Sequence, residues 1–192
     1  MLFRSMFETV EERIDFFVRH FPGKANMRVT VQMLNDMGFF TAPASTKYHG
    51  AYEGGLFDHS RNVMEALDFL TPRCGLKWSR PESPFIVGWF HDLCKCDQYR
   101  IDNSVPYTVG EPTRYEYNTN TLLKGHGEKS VMLAATLTDL TIEEVMCIRY
   151  HMGAFVPKEE WNDYTRAIHR FDNVLWTHTA DMMAAHIREV DR

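Results

Sequence analysis

The sequence predicts an all-α fold with a small β-hairpin insertion at about residues 99–123. Apolar residues recur at helical spacing over most of the 192 residues. Residues 99–123 instead combine Tyr, Thr, Val and Ile with Asn, Gly and Pro breaks, which indicates short strands. No repeat, low-complexity tract or Pro- and Gly-rich linker divides the chain. Its length fits one domain, so we expect a single domain over residues 1–192.

Residues 1–50 predict an N-terminal helical extension, which precedes the main part of the domain at residues 51–192. Val10, Ile14 and Phe17 mark an amphipathic first helix. A second helix over residues 29–37 ends at Gly38, which suits a left-handed cap. Residues 41–55 then have the composition of a loop.

Two helices follow that carry polar residues on inward positions. Leu56, His59 and Val63 recur at helical spacing, so His59 should point inward. Ser83 and Pro84 suit the N-cap and first turn of a helix that is apolar throughout, as a buried helix would be. His91 and Asp92 stand at the end of that helix.

The second half of the chain continues the pattern. Gly125-His126-Gly127 opens a helix, and residues 141–144 (Thr-Ile-Glu-Glu) form a capping box for the next one. A last helix is expected from about residue 167 to residue 190, with Asp181 on its apolar face. In the hairpin, four residues alternate along one face: Tyr115, Tyr117, Thr119 and Thr121.

Composition narrows the class of protein. The chain is 44% hydrophobic and 24% charged, with a formal charge of −5, which favours neither nucleic acid nor an anionic membrane as a partner. The longest apolar run, residues 85–90, is far shorter than the roughly 20 residues of a membrane span. Acidic residues near the start precede any apolar stretch long enough for a signal peptide, so we do not expect secretion. Four cysteines lack the density of a disulfide scaffold. We therefore expect a cytoplasmic protein.

Six good metal ligands come from five separate elements: His59, His91, Asp92, His126, His151 and Asp181. A carboxylate that faces a core is costly unless it is paired or binds a cation, and neutral imidazoles suit divalent transition metals. Any one of these histidines alone would more often be a core residue. A shared metal centre accounts for all six, although one metal with two substrate-contacting histidines (His126 and His151) is an alternative.

The ordered pattern of His59, His91-Asp92 and Asp181, with Lys95 completing His-Asp-x-x-Lys, resembles the signature of the HD superfamily of metal-dependent phosphohydrolases. The sequence segments at residues 54–59 and 178–181 are also similar to the HD domain of a bacterial 3′-5′ exoribonuclease. The resemblance spans roughly residues 50–190 and implies a helical HD-type bundle.

The resemblance also implies roles. His59, His91, Asp92 and Asp181 would hold a first divalent ion, and His126 and His151 would add a second, with Asp92 bridging the two. Two such ions activate water at neutral pH and stabilise charge on phosphoryl oxygens. Asp92 and Lys95 are the catalytic candidates, and the substrate-binding candidates are Arg61, Lys95 and Arg114. Lys95 as a solvated helix-end lysine is the alternative.

The expected substrate is a small nucleotide, cleaved at a phosphate ester as by a nucleotidase, a triphosphohydrolase or a phosphodiesterase. This class comes from the resemblance alone. Nucleic acid is a less favoured partner because the chain lacks a basic surface signature. Two alternatives stay open: an exonuclease-like HD enzyme, and a non-catalytic HD module that senses a nucleotide or a metal. The ligand set accepts iron, manganese, zinc, cobalt or nickel, and the oligomeric state is open.

Overall fold

The computed structural model describes residues 5–23, 26–104, 106 and 111–189. These residues are mostly helical and include a two-stranded antiparallel sheet, which confirms the predicted fold class. In this part of the chain, none of the helices has the length and apolar character needed to cross a bilayer. The helices and strands, in chain order, are α1 (Val10–His20), α2 (Met27–Asp36), α3 (Gly55–Cys74), α4 (Ser83–Phe90), β1 (Tyr99–Ile101), β2 (Tyr115–Tyr117), α5 (Gly127–Leu137), α6 (Ile142–Tyr150), α7 (Trp161–Arg170) and α8 (Asn173–Met183).

Helix α3 lies at the centre and packs against α4 and α8. The apolar helix α4 is buried as predicted, and its Trp89 is fully enclosed. The rings of Phe17 and Phe57 lie 5.2 and 5.3 Å from that of Trp89. Burying a large side chain of this kind stabilises the fold by about 1.5–3 kcal/mol. The core therefore joins α1, α3 and α4 through aromatic contacts.

Helix boundaries follow local sequence in some places and distant contacts in others. Thr141 and Glu144 form the predicted capping box at the start of α6. The prediction that Ser83 caps α4 is wrong, because Ser83 is the first residue of the helix and its hydroxyl donates to the Glu144 carboxylate at 2.8 Å. A partner 61 residues away thus takes the side chain that local pattern assigns to the cap.

The single last helix expected over residues 167–190 is also wrong. Helix α7 ends at Arg170, Phe171 is extended, and α8 begins at Asn173. The amide of Asn173 donates to the Lys77 carbonyl and to Glu143, both at 2.9 Å, which fixes the chain at this break. After α8 the backbone widens into a π-helical turn, Ala184–Arg188.

The hairpin is shorter than the predicted insertion. Tyr99 pairs with Tyr117 and Ile101 with Tyr115. Of the four residues expected to alternate on one face, Thr119 and Thr121 lie outside the strand. Most of the hairpin tip between Asn103 and Glu111, including Tyr107, lies outside the described residues.

Candidate metal centre

The structure brings the six predicted ligand residues together, and five different parts of the helical frame position them. His59 lies in the second turn of α3, and His91 with Asp92 follows α4 directly. His126 immediately precedes α5, His151 follows α6, and Asp181 belongs to α8. Five of the six are buried or largely buried, and the His126 side chain is 29% exposed.

Two glycines allow the helices to approach closely enough. A Cβ on Gly88 of α4 would lie 2.3 Å from the Met64 Cα of α3. A Cβ on Gly127 of α5 would lie 2.0 Å from the carbonyl oxygen of Arg149 in α6. The first contact lies beside the His59 and His91 pair, and the second lies beside the His126 and His151 pair. Each imidazole pair thus depends on one backbone contact that tolerates no side chain.

The histidines are held through one ring nitrogen. Nδ1 of His91 lies 2.9 Å from the Gly88 carbonyl oxygen, and Nδ1 of His151 lies 2.7 Å from that of Ile148. A carbonyl oxygen only accepts, so each Nδ1 donates and carries the proton. In the neutral ring, Nε2 then presents a lone pair, which is the form that binds metal.

His59 follows the same rule with a charged partner. Its Nδ1 lies 3.1 Å from a Glu189 carboxylate oxygen, and its Nε2 lies 3.3 Å from the Nε2 of His91. Two lone pairs at this distance repel, and either a proton on one nitrogen or a cation bound by both relieves that repulsion. Ligands at about 2.0–2.1 Å from one tetrahedral ion would stand about 3.3 Å apart. The spacing of the two nitrogens therefore fits ligation of one transition metal ion.

Asp92 lies between two pairs of histidines. Its Oδ2 is 3.5 Å from the Nε2 atoms of both His59 and His91. Its Oδ1 is 2.9 Å from Nε2 of His126 and 3.3 Å from Nε2 of His151. Neither of the latter two nitrogens makes a hydrogen bond within the described structure, although both are shielded from solvent. Buried polar atoms without a partner are costly, so a cation on the Oδ1 side would remove this cost.

Charged neighbours shift the pKa values of the ionisable groups in the cluster. Burial opposes ionisation of Asp92, but Lys95 and the neighbouring histidines hold the pKa of its carboxyl well below the usual range. Burial likewise opposes a charge on His59, yet Glu189 and Asp181 raise the pKa of its imidazole to about 10. Several carboxylates thus face few fixed positive charges. The described side chains contain four groups that can hold a metal ion: His59, His91 and Asp181; His91, Asp92 and His151; Asp92, Cys94 and His126; and His49, His59 and Glu189.

The three substrate-binding candidates lie in different surroundings. Lys95 is buried, and its Nζ lies 2.8 Å from Asp92 Oδ2, so it is not a solvated helix-end lysine. Arg61 forms an ion pair with Glu65 at 3.0 Å and lies against the Phe7 ring. Arg114 precedes β2 and is exposed, with Glu111 at 3.8 Å. The structure brings Lys95 alone of the three into contact with the cluster among the residues it describes.

The cluster contains three further residues that were not predicted from the sequence. Glu189 contacts His59 as described above. The Cys94 thiol lies 3.3 Å from Nδ1 of His126, and burial raises the pKa of the thiol to about 12. The ring of His49, from the loop before α3, lies 5.1 Å from that of His59. No local sequence pattern singles out Glu189, Cys94 or His49.

Comparisons with known proteins give no relative of this chain. No protein-family model matches the chain, and no curated protein or solved structure gives a significant match to it.

Proposed function

We propose that this protein is a metal-dependent phosphohydrolase that binds one or two divalent transition metal ions and cleaves a phosphate ester of a nucleotide. The observation that supports this function best is the position of Asp92, whose two carboxylate oxygens face two separate imidazole pairs. A carboxylate in that position can bridge two ions. The reaction class and the nucleotide follow from the resemblance to HD phosphohydrolases.

The proposed first ion has four ligands: His59, His91, Asp92 and Asp181. Asp181 supports this assignment because its Oδ1 lies 3.0 Å from His59 Nε2, on the side where His91 Nε2 also lies. The proposed second ion has Asp92, His126 and His151 as protein ligands. Three protein ligands leave coordination positions for water or substrate, as in catalytic sites.

When bound, such ions supply a lowered pKa for coordinated water and neutralise charge on phosphoryl oxygens. The chain's own residues orient these elements. Asp92 fixes the spacing of the two ligand sets, and Lys95 holds Asp92 Oδ2 with one of its three ammonium donors. The other two donors can bind a phosphate oxygen. Because His126 is the most exposed ligand, substrate would approach the centre from its side.

Elemental analysis and a nucleotide panel test the proposal together. Purified protein should carry a transition metal, and Asp92→Ala should lose it because both ligand sets share this carboxylate. Asp68→Asn, a change at an exposed position on α3, is the matched control and should keep the metal. A full metal complement in Asp92→Ala with unchanged stability would rule out the centre.

The panel identifies the reaction. Nucleoside mono-, di- and triphosphates, cyclic nucleotides and single-stranded oligonucleotides should be supplied separately with Mn²⁺, Co²⁺, Zn²⁺, Ni²⁺ and Fe²⁺. Hydrolysis of a small nucleotide supports the proposal. Cleavage of the oligonucleotide alone would favour an exonuclease, and metal-dependent nucleotide binding without turnover would favour a sensor.

Metal number is a separate question. His126→Ala and His151→Ala should each lower the stoichiometry by about one ion and leave the first ion bound, since neither residue belongs to the first ligand set. Parental metal content in both variants would make these histidines substrate contacts or core residues.

A further inference from the structure

Two carboxylates from one continuous segment contact the two nitrogens of His59. Asp181, on α8, lies 3.0 Å from Nε2. Glu189 directly follows the π-helical turn, and its Oε1 lies 3.1 Å from Nδ1. The imidazole is therefore enclosed on both sides by the C-terminal part of the chain.

The π-helical turn explains how one segment achieves this. In an uninterrupted α-helix, residues eight positions apart point about 80° apart around the axis. A π turn, with its i→i+5 hydrogen bonds, rotates less per residue than an α turn. Five residues in this conformation, Ala184–Arg188, bring Glu189 back towards the face of Asp181. Wider turns of this type are frequent at functional sites.

Glu189 has few partners for a buried carboxylate. It is 7% exposed, and in the described structure its side chain accepts hydrogen bonds from His59 and from the Asn62 amide at 2.9 Å. No lysine or arginine among those residues pairs with it. A buried carboxylate without a fixed cation is costly. Its charge must be compensated through the His59 ring.

The other histidines of the cluster set a useful comparison. His91 and His151 donate from Nδ1 to neutral backbone carbonyls, whereas His59 donates to an anion. A carboxylate partner fixes the tautomer as a carbonyl does, and it also increases the electron density at the opposite nitrogen. Of these three histidines, His59 alone has a carboxylate on its Nδ1.

We infer that Glu189 is a positioning residue of the first metal site. Its negative charge holds His59 in the tautomer whose Nε2 lone pair can bind metal, and it strengthens the binding of a divalent transition metal ion there. This inference rests on the proposed metal centre. It assigns the C-terminal turn a role in metal affinity that packing alone would not give it.

Glu189→Gln tests the charge without removing the contact. The glutamine oxygen can occupy the position of Oε1 and still accept from both His59 and Asn62. Metal-free protein is titrated with Co²⁺ alone against a competing chelator, and the visible absorption of the bound ion is recorded. We expect the affinity of the first site to fall by about 10- to 100-fold, with an altered spectrum. The second site and the final stoichiometry should not change.

Glu65→Gln is the matched control. Glu65 lies on α3, as His59 does, and forms ion pairs with Arg61 at 3.0 Å and with Arg188 at 3.4 Å. Arg188 directly precedes Glu189. Replacement of Glu65 removes a charge and loosens the same C-terminal turn without touching His59. Parental Co²⁺ affinity is expected for this variant.

Three results would overturn the inference. Parental first-site affinity in Glu189→Gln would show that the charge has no effect. Loss of one ion at saturation would make Glu189 a ligand itself, in the group with His49 and His59. Equal weakening of both sites, with a lower unfolding temperature of the metal-free protein, would make it structural. Absence of Co²⁺ binding by the parental protein would instead contradict the proposed metal centre itself. Failure of the proposed function is thus seen in the parent, and failure of the inference about Glu189 is seen only in the variant.

Discussion

His91 and His151 occupy equivalent positions at the ends of two different helices. Each is the C-cap residue of its helix and donates from Nδ1 to the carbonyl three residues earlier. Their ring centroids lie 4.9 Å apart, at an interplanar angle of 82°. Two helix ends therefore present imidazoles in the same tautomer to one point, and each helix is held in place by a different close contact.

Substitutions at the two glycine contacts should each affect a different one of the two proposed metal sites. Gly88→Ala pushes α4 away from α3 and should weaken the first site, whereas Gly127→Ala pushes α5 away from α6 and should weaken the second. Overpacking of this kind costs about 1–3 kcal/mol of unfolding free energy. A metal titration that resolves the two sites measures the change in binding, and thermal unfolding measures the change in stability. Each variant is the control for the other. Loss of the same ion in both would contradict the assignment of the two pairs.

Lys95→Met should keep the metal and lose hydrolysis. Methionine fills the buried space of the lysine stem but donates no hydrogen bond to a phosphate oxygen, so we expect kcat to fall about 100-fold. Lys129→Met is the control, because Lys129 is also buried and pairs with Asp97 outside the cluster. Unchanged kcat in Lys95→Met, or an equal loss in both variants, would exclude a role of Lys95 in the reaction.

The hairpin should affect substrate rather than metal. Arg114→Ala removes an exposed guanidinium beside β2, and we expect KM to rise several-fold with unchanged metal content. Arg100→Ala, on the paired strand β1 and bonded to Glu116, is the matched control. Steady-state kinetics with the best substrate of the panel decide the matter. If both variants behave as the parent, the specificity pocket must be sought in the loop of residues 41–53.

Acid stability should depend on Glu144. Burial opposes its ionisation, but Arg80, Thr141 and Ser83 hold the pKa of its carboxyl below the ordinary 4.5. A depressed pKa in the folded state stabilises the protein above pH 4.5, and this contribution is lost as the pH falls.

Glu144→Gln should therefore unfold at a lower temperature than the parent at pH 7, with a loss of about 2–3 kcal/mol. The difference should shrink between pH 5 and pH 3. Thermal unfolding across this range measures it, with the exposed Glu159→Gln as control. A difference that stays constant with pH would assign the effect to packing instead of charge.

Sequence periodicity predicted the helical fold and the inward position of His59, because burial of an apolar face repeats every three to four residues. The break between α7 and α8 was not predictable in this way. Residues 171–173 contain no Gly or Pro, and the break is fixed by contacts of Asn173 with residues far away in sequence.

In the candidate site too, some features were predictable from the sequence and others depend on contacts between distant residues. Its six predicted residues follow from ligand chemistry and ordered spacing, although their function as ligands stays a prediction. Glu189 was missed because regular α-helical geometry places it off the face of Asp181, and the π turn that corrects this has no clear sequence pattern. Cys94 and His49 come close through tertiary packing alone.

The six proposed ligand residues are spread from α3 to α8. No segment shorter than residues 59–151 contains both imidazole pairs, and Asp181 lies further along the chain, so the ligand sets assemble only after most of the long-range contacts have formed. We expect an ion to bind a nearly native chain and to contribute little to the folding transition state. Metal would then slow unfolding far more than it accelerates folding, and a chelator would shorten the lifetime of the native protein.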